Sequence, residues 1–274
     1  MIVKLYLKIE CISDLVMIIV THSLYVHLDK QYDVEVICQL PDKLCDTHLY
    51  IAINVIANET LYKTNMYNIL DNKCSFYTFI NKYNVLYNHN IQLIPSYSVN
   101  DLEYYNTNPT KKNLYIKPIY GSGSRGIITG VFNIHNAILT YVNTHQIQDV
   151  VNIKCLYEIN AYCINGVVQE CVGIKTFNTR NWYEYVSLYI LGEIIDVSRF
   201  KPIIQCVVSR LKYNGFVEFE FIEDDVSNIF LMECNPRISS FSKQPEIIDI
   251  LLQKQLCIPK QEIIPNTIFK MRPI

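Results

Sequence analysis

The stretch Leu114-Tyr-Ile-Lys-Pro-Ile-Tyr-Gly-Ser-Gly-Ser-Arg-Gly-Ile-Ile-Thr-Gly130 decides how the rest of the chain is read. No glycine precedes it, and Gly121, Gly123, Gly126 and Gly130 then supply half of the 8 glycines in 274 residues. Glycine belongs where backbone turns tightly or where amides approach a ligand closely. Lys117 before the cluster and Arg125 within it make an anion the natural thing to approach. The spacing G-x-G-x-x-G marks a dinucleotide loop only when a helix follows it. Here Pro118 stands before the loop and β-branched Ile127, Ile128 and Thr129 follow, so it joins two strands. A Walker A loop is excluded, because no Gly-Lys-Ser/Thr follows. Two readings stand: a hairpin flap whose amides, with Lys117, cover a polyphosphate, or a tight hairpin with no ligand.

Working outward, hydrophobic residues at 50% and charged residues at 18% describe a globular chain long enough for two lobes. A net charge of −2 gives no general attraction to nucleic acid or anionic membrane. The 10 cysteines are scattered without a C-x-x-C pair, which reads as reduced thiols in a cytoplasmic protein. The apolar run Leu15 to Val20 is too short to span a bilayer.

Before the loop, Ile2 to Ile9, Asp33 to Cys38 and His48 to Ile56 read as strands of a small α/β layer over residues 1–71. Asp71-Asn-Lys73 opens a helix through Tyr83, Ile91 to Pro95 is a short strand, and Asn100 to Lys112 is an exposed connection. After the loop, Ile134 to His145 reads as a helix. Val150 to Cys155 reads as a buried strand running without a break into Glu158 to Cys163. Val167 to Ile174 and Val186 to Ile195 are strands with turns at Asn165-Gly166 and Leu191-Gly192. Pro202 to Tyr213 is a helix ending near Asn214-Gly215. Phe216 to Ile222 and Ile229 to Asn235 are strands joined by the acidic turn Glu223 to Asn228.

Those last strands carry a second constellation, Glu218-Phe-Glu220 and Glu233-Cys-Asn-Pro-Arg237. Residues two apart on a strand share a face, so Glu218 and Glu220 point together, as do Glu233, Asn235 and Arg237. Paired as a hairpin, they converge hard oxygen ligands that suit Mg²⁺ with substrate phosphates. Arg237 suits a phosphate or carboxylate. The alternative is a solvated strand face over buried Phe219, Phe221, Leu231 and Cys234.

Together the two constellations resemble the ATP-grasp superfamily, whose enzymes grip ATP between two α+β subdomains. The family flap K-P-x-x-G-x-G-S-x-G is similar to Lys117 to Gly126, and its E-x-N-P-R to Glu233 to Arg237. The resemblance covers residues 72–240. It implies an α+β fold, with a short N-terminal domain (1–71) before an ATP-grasp domain (72–274). Within the latter, a flap subdomain would span about 110–153 and a catalytic subdomain about 154–274.

The resemblance also implies roles. Lys73 and Lys117 would reach the phosphates, with Gly121, Ser122, Gly123, Ser124 and Gly126 of the flap. The family's adenine hinge carries Gln-Glu-Tyr. Here that piece is taken as Val151 to Tyr157, so that Lys154, Cys155 and Leu156 would contact adenine through backbone. Glu158 would face the ribose or substrate side. Glu220, preferred to Glu218 because it stands five residues after Gly215 and thirteen before Glu233, would hold Mg²⁺ with Glu233 and Asn235. Arg237, Arg125 and the basic residue after the next hairpin, Lys175, would act on the developing charge.

The implied activity is an ATP- and Mg²⁺-dependent ligase, with two ions and Mn²⁺ able to substitute. It activates a small-molecule carboxylate as an acylphosphate and passes it to an amine. Nucleic acid and membrane are not expected partners, and a homodimer is a candidate assembly. Rival readings are a carbamoyl-phosphate-synthase or biotin-carboxylase type, against which the 37 residues after Arg237 argue, and a non-catalytic nucleotide-binding protein.

Overall fold

The computed structural model describes residues 2–6, 25–43, 48–52, 61, 67–87, 91–120, 126–176, 190–238, 245–253 and 268–271. Three short strands, β1 (Ile2–Tyr6), β2 (Asp33–Ile37) and β3 (His48–Ala52), form a parallel sheet in the order β2-β1-β3. Helix α1 (Lys73–Tyr87) follows, its first turn capped by the Asn72 side chain, which accepts from Ser75 N at 2.9 Å.

The expected strand Ile91 to Pro95 is absent as a ladder. The Asn84 side chain takes up both backbone groups of Ile91, and Pro95 has no N–H, so only Leu93 makes a bridge, to Leu231. Strand β4 is Ser96–Tyr97. The expected exposed connection contains a helix, α2 (Leu102–Thr107), led in by a Ser98–Asp101 capping box. No residue of α2 is buried, so it leaves no apolar period in the sequence.

Strands β5 (Lys111–Pro118) and β6 (Ile128–Asn133) are the two arms of the glycine hairpin, antiparallel as expected. Helix α3 (Ile134–Tyr141) ends earlier than the reading to His145, because His145 already begins β7 (His145–Asp149). These elements form a sheet in the order β4-β7-β5-β6. Its Leu114, Ile116 and Ile147 side pack on α3 through Ile134, Ala137 and Ile138. Alternation turns Tyr115, Lys117, Gln146 and Gln148 to the other side.

The chain then crosses to the central sheet over residues 150–152. The strand read as unbroken from Val150 is therefore interrupted before β8 (Ile153–Ile164). β8 turns through Asn165 (φ 48°) and Gly166 (φ 75°) into β9 (Val167–Thr176). A Cβ on Gly166 would lie 2.9 Å from Ser209 Cα, so helix packing as well as the turn requires glycine there.

Leu191-Gly192, read as a turn, lies within β10 (Ile190–Ile195), where Gly192 pairs with Thr176 and Phe269. Helix α4 (Lys201–Leu211) ends at Lys212 in the left-handed conformation. Strands β11 (Gly215–Asp224) and β12 (Ile229–Asn235), helix α5 (Pro245–Leu252) and strand β13 (Ile268–Met271) complete the chain. The central sheet runs β12-β11-β8-β9-β10-β13 and is antiparallel in every pairing.

One side of the central sheet packs Tyr157, Ile159, Phe219 and Phe221 on α1 and α4, with Phe76 6.4 Å from Phe219 and Phe200 4.8 Å from Phe221 between ring centres. Burying each such ring contributes about 2–3 kcal/mol. On the opposite side, Tyr162, Val172, Ile174 and Phe216 meet Val3, Leu5, Val34 and Ile51 of the N-terminal sheet and Ile247 to Leu252 of α5. His27 Nε2 lies 2.8 Å from Asp249 Oδ1 across that contact. No helix among the described residues is long and apolar enough to cross a membrane.

Candidate active site

The β11–β12 hairpin sets Glu218 opposite Asn235 and Glu220 opposite Glu233. Strand β8 extends both rows, with Asn160 beside Glu218 and Glu158 beside Glu220. Cross-strand partners point the same way, so six polar side chains share one face. Glu158, Asn160, Glu218 and Asn235 are buried. A solvated strand face is thereby excluded, since solvated carboxylates are not enclosed with one another.

A bulge after Glu220 brings Phe221 opposite Leu231 and leaves Met232 as the extra residue. It lets Leu231 enter the core while Glu233, two residues later, faces the polar row. Leu231 N is then available to donate to Gln92 O at 2.9 Å.

Two lysines reach this row from outside the central sheet. Lys73 opens α1 and Lys117 closes β5; their Nζ atoms stand 3.7 Å and 3.5 Å from Glu233 Oε2. Lys73 N donates to Ile119 O at 3.2 Å, which fastens the helix start to the hairpin, and the Gln146 amide donates to Lys73 O at 3.4 Å. Burial alone would raise the Glu233 carboxyl, but Lys73 and then Lys117 outweigh it and hold it at about 2. Glu220 lies well above the usual carboxylate range, from burial first and then the charges of Glu233 and Glu218. Glu158 is raised in the same way, by burial and then by Glu218 and Glu220. Burial lowers the Lys117 ammonium, and the nearby Glu233 charge opposes that.

Beyond the lysines the row ends on an amide and a guanidinium. Asn235 Nδ2 donates to Glu218 Oε2 at 3.1 Å and to Glu220 Oε1 at 2.9 Å, and Arg237 donates to Asn235 Oδ1 at 3.2 Å. Arg237 is also 4.0 Å from Glu218.

The structure therefore gathers Lys73, Lys117, Glu158, Glu220, Glu233, Asn235 and Arg237. Gly121, Ser122, Gly123, Ser124 and Arg125 lie outside the described residues. Gly126, at φ +76° and with Pro118 Cγ 3.1 Å from where a Cβ would stand, is a position only glycine fits easily.

Four expected residues have side chains outside this group, three of them expected to act through backbone. Lys154 is the bulged residue where β8 meets the end of β11, and its ammonium bonds Glu223 at 2.8 Å and Ser227 at 3.2 Å. Cys155 pairs with Glu223, on the side away from Glu158. Lys175 pairs with Tyr157 and Glu193, so strand parity puts it on the face opposite Glu158. Leu156 is on the same face as Glu158, in an apolar group with Ile94 and Ile222.

Two things escaped the sequence reading. The crossing between the sheets lies at 150–152, at the start of the piece taken as the hinge, where the sequence reading expected an unbroken strand. Glu218 belongs to the row as fully as Glu220, which was preferred to it, and Asn160, which was not considered, joins them from β8.

Among the described residues no three His, Cys, Asp or Glu side chains converge into a finished metal cage, since Glu233 is turned to the lysines. The donor set nevertheless fits Mg²⁺. Glu220, Glu233 and the Asn235 amide are hard oxygen donors on adjacent positions of one face, facing two lysines able to take phosphate instead.

No family model matches the chain, and no curated protein matches it in sequence. Solved structures do. D-alanyl-alanine synthetase A from Vibrio cholerae is similar with a TM-score of 0.60 at 12% identity, over 93% of this chain and 98% of that one. N5-carboxyaminoimidazole synthetase from Staphylococcus aureus gives 0.56 at 11% identity, over 98% and 79%. A biotin carboxylase from Campylobacter jejuni gives 0.55 at 13% identity, over 92% and 69%. These are ATP-grasp ligases, and at such identities the likeness speaks for architecture alone. The chain has the ATP-grasp fold.

Proposed function

We propose that the protein is an ATP- and Mg²⁺-dependent ligase that activates a small-molecule carboxylate as an acylphosphate and passes it to an amine. The observation that carries this reading is Glu233, 16% exposed in a row of carboxylates yet faced by two buried lysines, one from the start of α1 and one from β5. Such lysines would turn from Glu233 to the phosphates of a nucleotide, releasing Glu233 to a cation. Glu220, Glu233 and Asn235 would hold one or two Mg²⁺ ions, with Mn²⁺ able to substitute. When bound, the metal would offset charge on the phosphoryl oxygens. Arg237, at the end of the row, would face the charge that develops on transfer. Residues 121–126 would cover the phosphates, and the crossing at 150–152 would meet the base through backbone groups.

In this reading residues 1–71 form an N-terminal domain and 72–274 the ATP-grasp domain, the sheet of β4 to β7 acting as its lid. Among the described residues the seven cysteines are not in disulfides, and we read the protein as one of a reducing compartment such as the cytoplasm. The test is ADP release from Mg-ATP across a panel of carboxylates, bicarbonate included, each with and without amines. Turnover with one carboxylate–amine pair is the expected result. Turnover with bicarbonate alone would replace the ligase reading by the carboxylase type, and nucleotide binding without any turnover would overturn both.

A further inference from the structure

Glu218 has no role in the reading above, yet it is 4% exposed at the centre of the row. It sits opposite Asn235 on one side and Asn160 on the other. Its contacts set a directed network. Arg237 can only donate, and it gives a hydrogen bond to Asn235 Oδ1. Glu218 and Glu220 both receive from Asn235 Nδ2. Turning the amide over would set its NH₂ against the guanidinium and its oxygen against two carboxylates, so the orientation is chemically forced. Glu220 would divide its oxygens between a cation and the amide, whereas Glu218 would have no cation to serve.

We infer that Glu218 is a positioning residue, which anchors the Asn235 NH₂ and so keeps the amide oxygen and Arg237 directed at the open side of the row. The inference rests on the metal–nucleotide reading of this site. It explains why a buried carboxylate stands where it meets an amide, a guanidinium and the Glu158 carboxyl.

The experiment uses the full chain with Mn²⁺ and ADP as probes, free Mn²⁺ being followed by electron paramagnetic resonance. Glu218→Ala should weaken Mn²⁺ binding about tenfold, the scale of losing an outer-shell partner, while Glu218→Gln, which keeps an acceptor, should stay within about threefold of wild type. In an Asn235→Ala background the Glu218→Ala loss should disappear, because the group it positions is gone. Glu218→Gln as weak as Glu218→Ala would overturn the inference and make the carboxylate a ligand in its own right. Additive losses with Asn235→Ala would also overturn it, leaving a role in folding only, which the melting temperatures would report. Wild type that binds no Mn²⁺ with ADP would instead overturn the site reading, and this inference with it.

Discussion

Two glutamates on one hairpin meet cations in different ways. Glu223, at the turn end of β11, accepts from Lys154 at 2.8 Å and from the Tyr157 hydroxyl at 2.5 Å, with Arg199 at 3.8 Å. Its two cations are 49% exposed, and Arg199 lies over the Tyr157 ring at 4.7 Å. Glu233, ten residues later, has its lysines at 3.5 Å and 3.7 Å, and these are 5% and 9% exposed. The first is a completed latch with partners water can reach, the kind of pair that adds little net stability. The second places buried cations at the edge of hydrogen-bonding distance, where an incoming anion can compete for them. Close contact here marks structure, and in the proposed reading the looser buried contact is where a phosphate would exchange.

Breaking the exchanging pair should have the largest effect. Glu233→Gln is expected to abolish the Mg²⁺-dependent stabilisation by ATP in a thermal-shift assay, since the pivotal carboxylate is lost. An unchanged shift would remove Glu233 from the metal site. Lys117→Met keeps the length of the side chain without its charge, and should weaken ATP binding about 10- to 100-fold by calorimetry, the scale of one charge-assisted hydrogen bond. Equal affinity would show that Lys117 only neutralises Glu233.

Next comes pH. The Glu220 carboxyl is raised by burial and by its neighbours' charges, so a cation binding there expels its proton. Binding of Mg-ATP should therefore strengthen as pH rises above the usual carboxylate range, by up to about tenfold per unit for one displaced proton. Affinity that is flat with pH, or that falls as pH rises, would contradict proton displacement.

The latch should respond least. Glu223→Gln is expected to cost about 1 kcal/mol of stability, discounted because its cations are half exposed, and to leave ATP affinity unchanged. The hydrogen bonds of Lys154 and Tyr157 hold the Glu223 carboxyl below its usual range. Its contribution is therefore present above the unfolded value of about 4.3 and lost as pH falls through the lower folded value. Melting curves of wild type and variant should converge in strong acid. A loss of ATP affinity in this variant would erase the contrast between the two glutamates.

Local patterns revealed much of this. The glycine hairpin and the strand Ile229 to Asn235 were legible because turn chemistry and period two are written in adjacent residues. The same period announced the row Glu218, Glu220, Glu233 and Asn235. What stayed hidden depends on partners distant in sequence. His145 to Asp149 has no apolar alternation to separate it from the preceding helix, since Ile147 packs on α3 while the other face carries Gln146, which donates to Lys73 O at the start of α1. Lys175 looked as basic as any candidate, but its face is fixed by register with Tyr157, which composition does not state. Lys154 was drawn aside by a bulge against β11. The burial of Glu158 beside Glu220 needs three strands, of which the sequence names only one at a time.

The bulge at Met232 has a mechanical side. The residue it frees, Leu231, receives the Tyr77 hydroxyl at its carbonyl, bonds Gln92 with its amide, and bridges Leu93. Gln92 stands four residues before β4, an edge strand of the sheet that carries the glycine hairpin. Glu233 thus lies two residues from the point where β12 is tied to the segment before β4. In the proposed reading, a cation drawn to that carboxylate would act beside the tie between the two sheets.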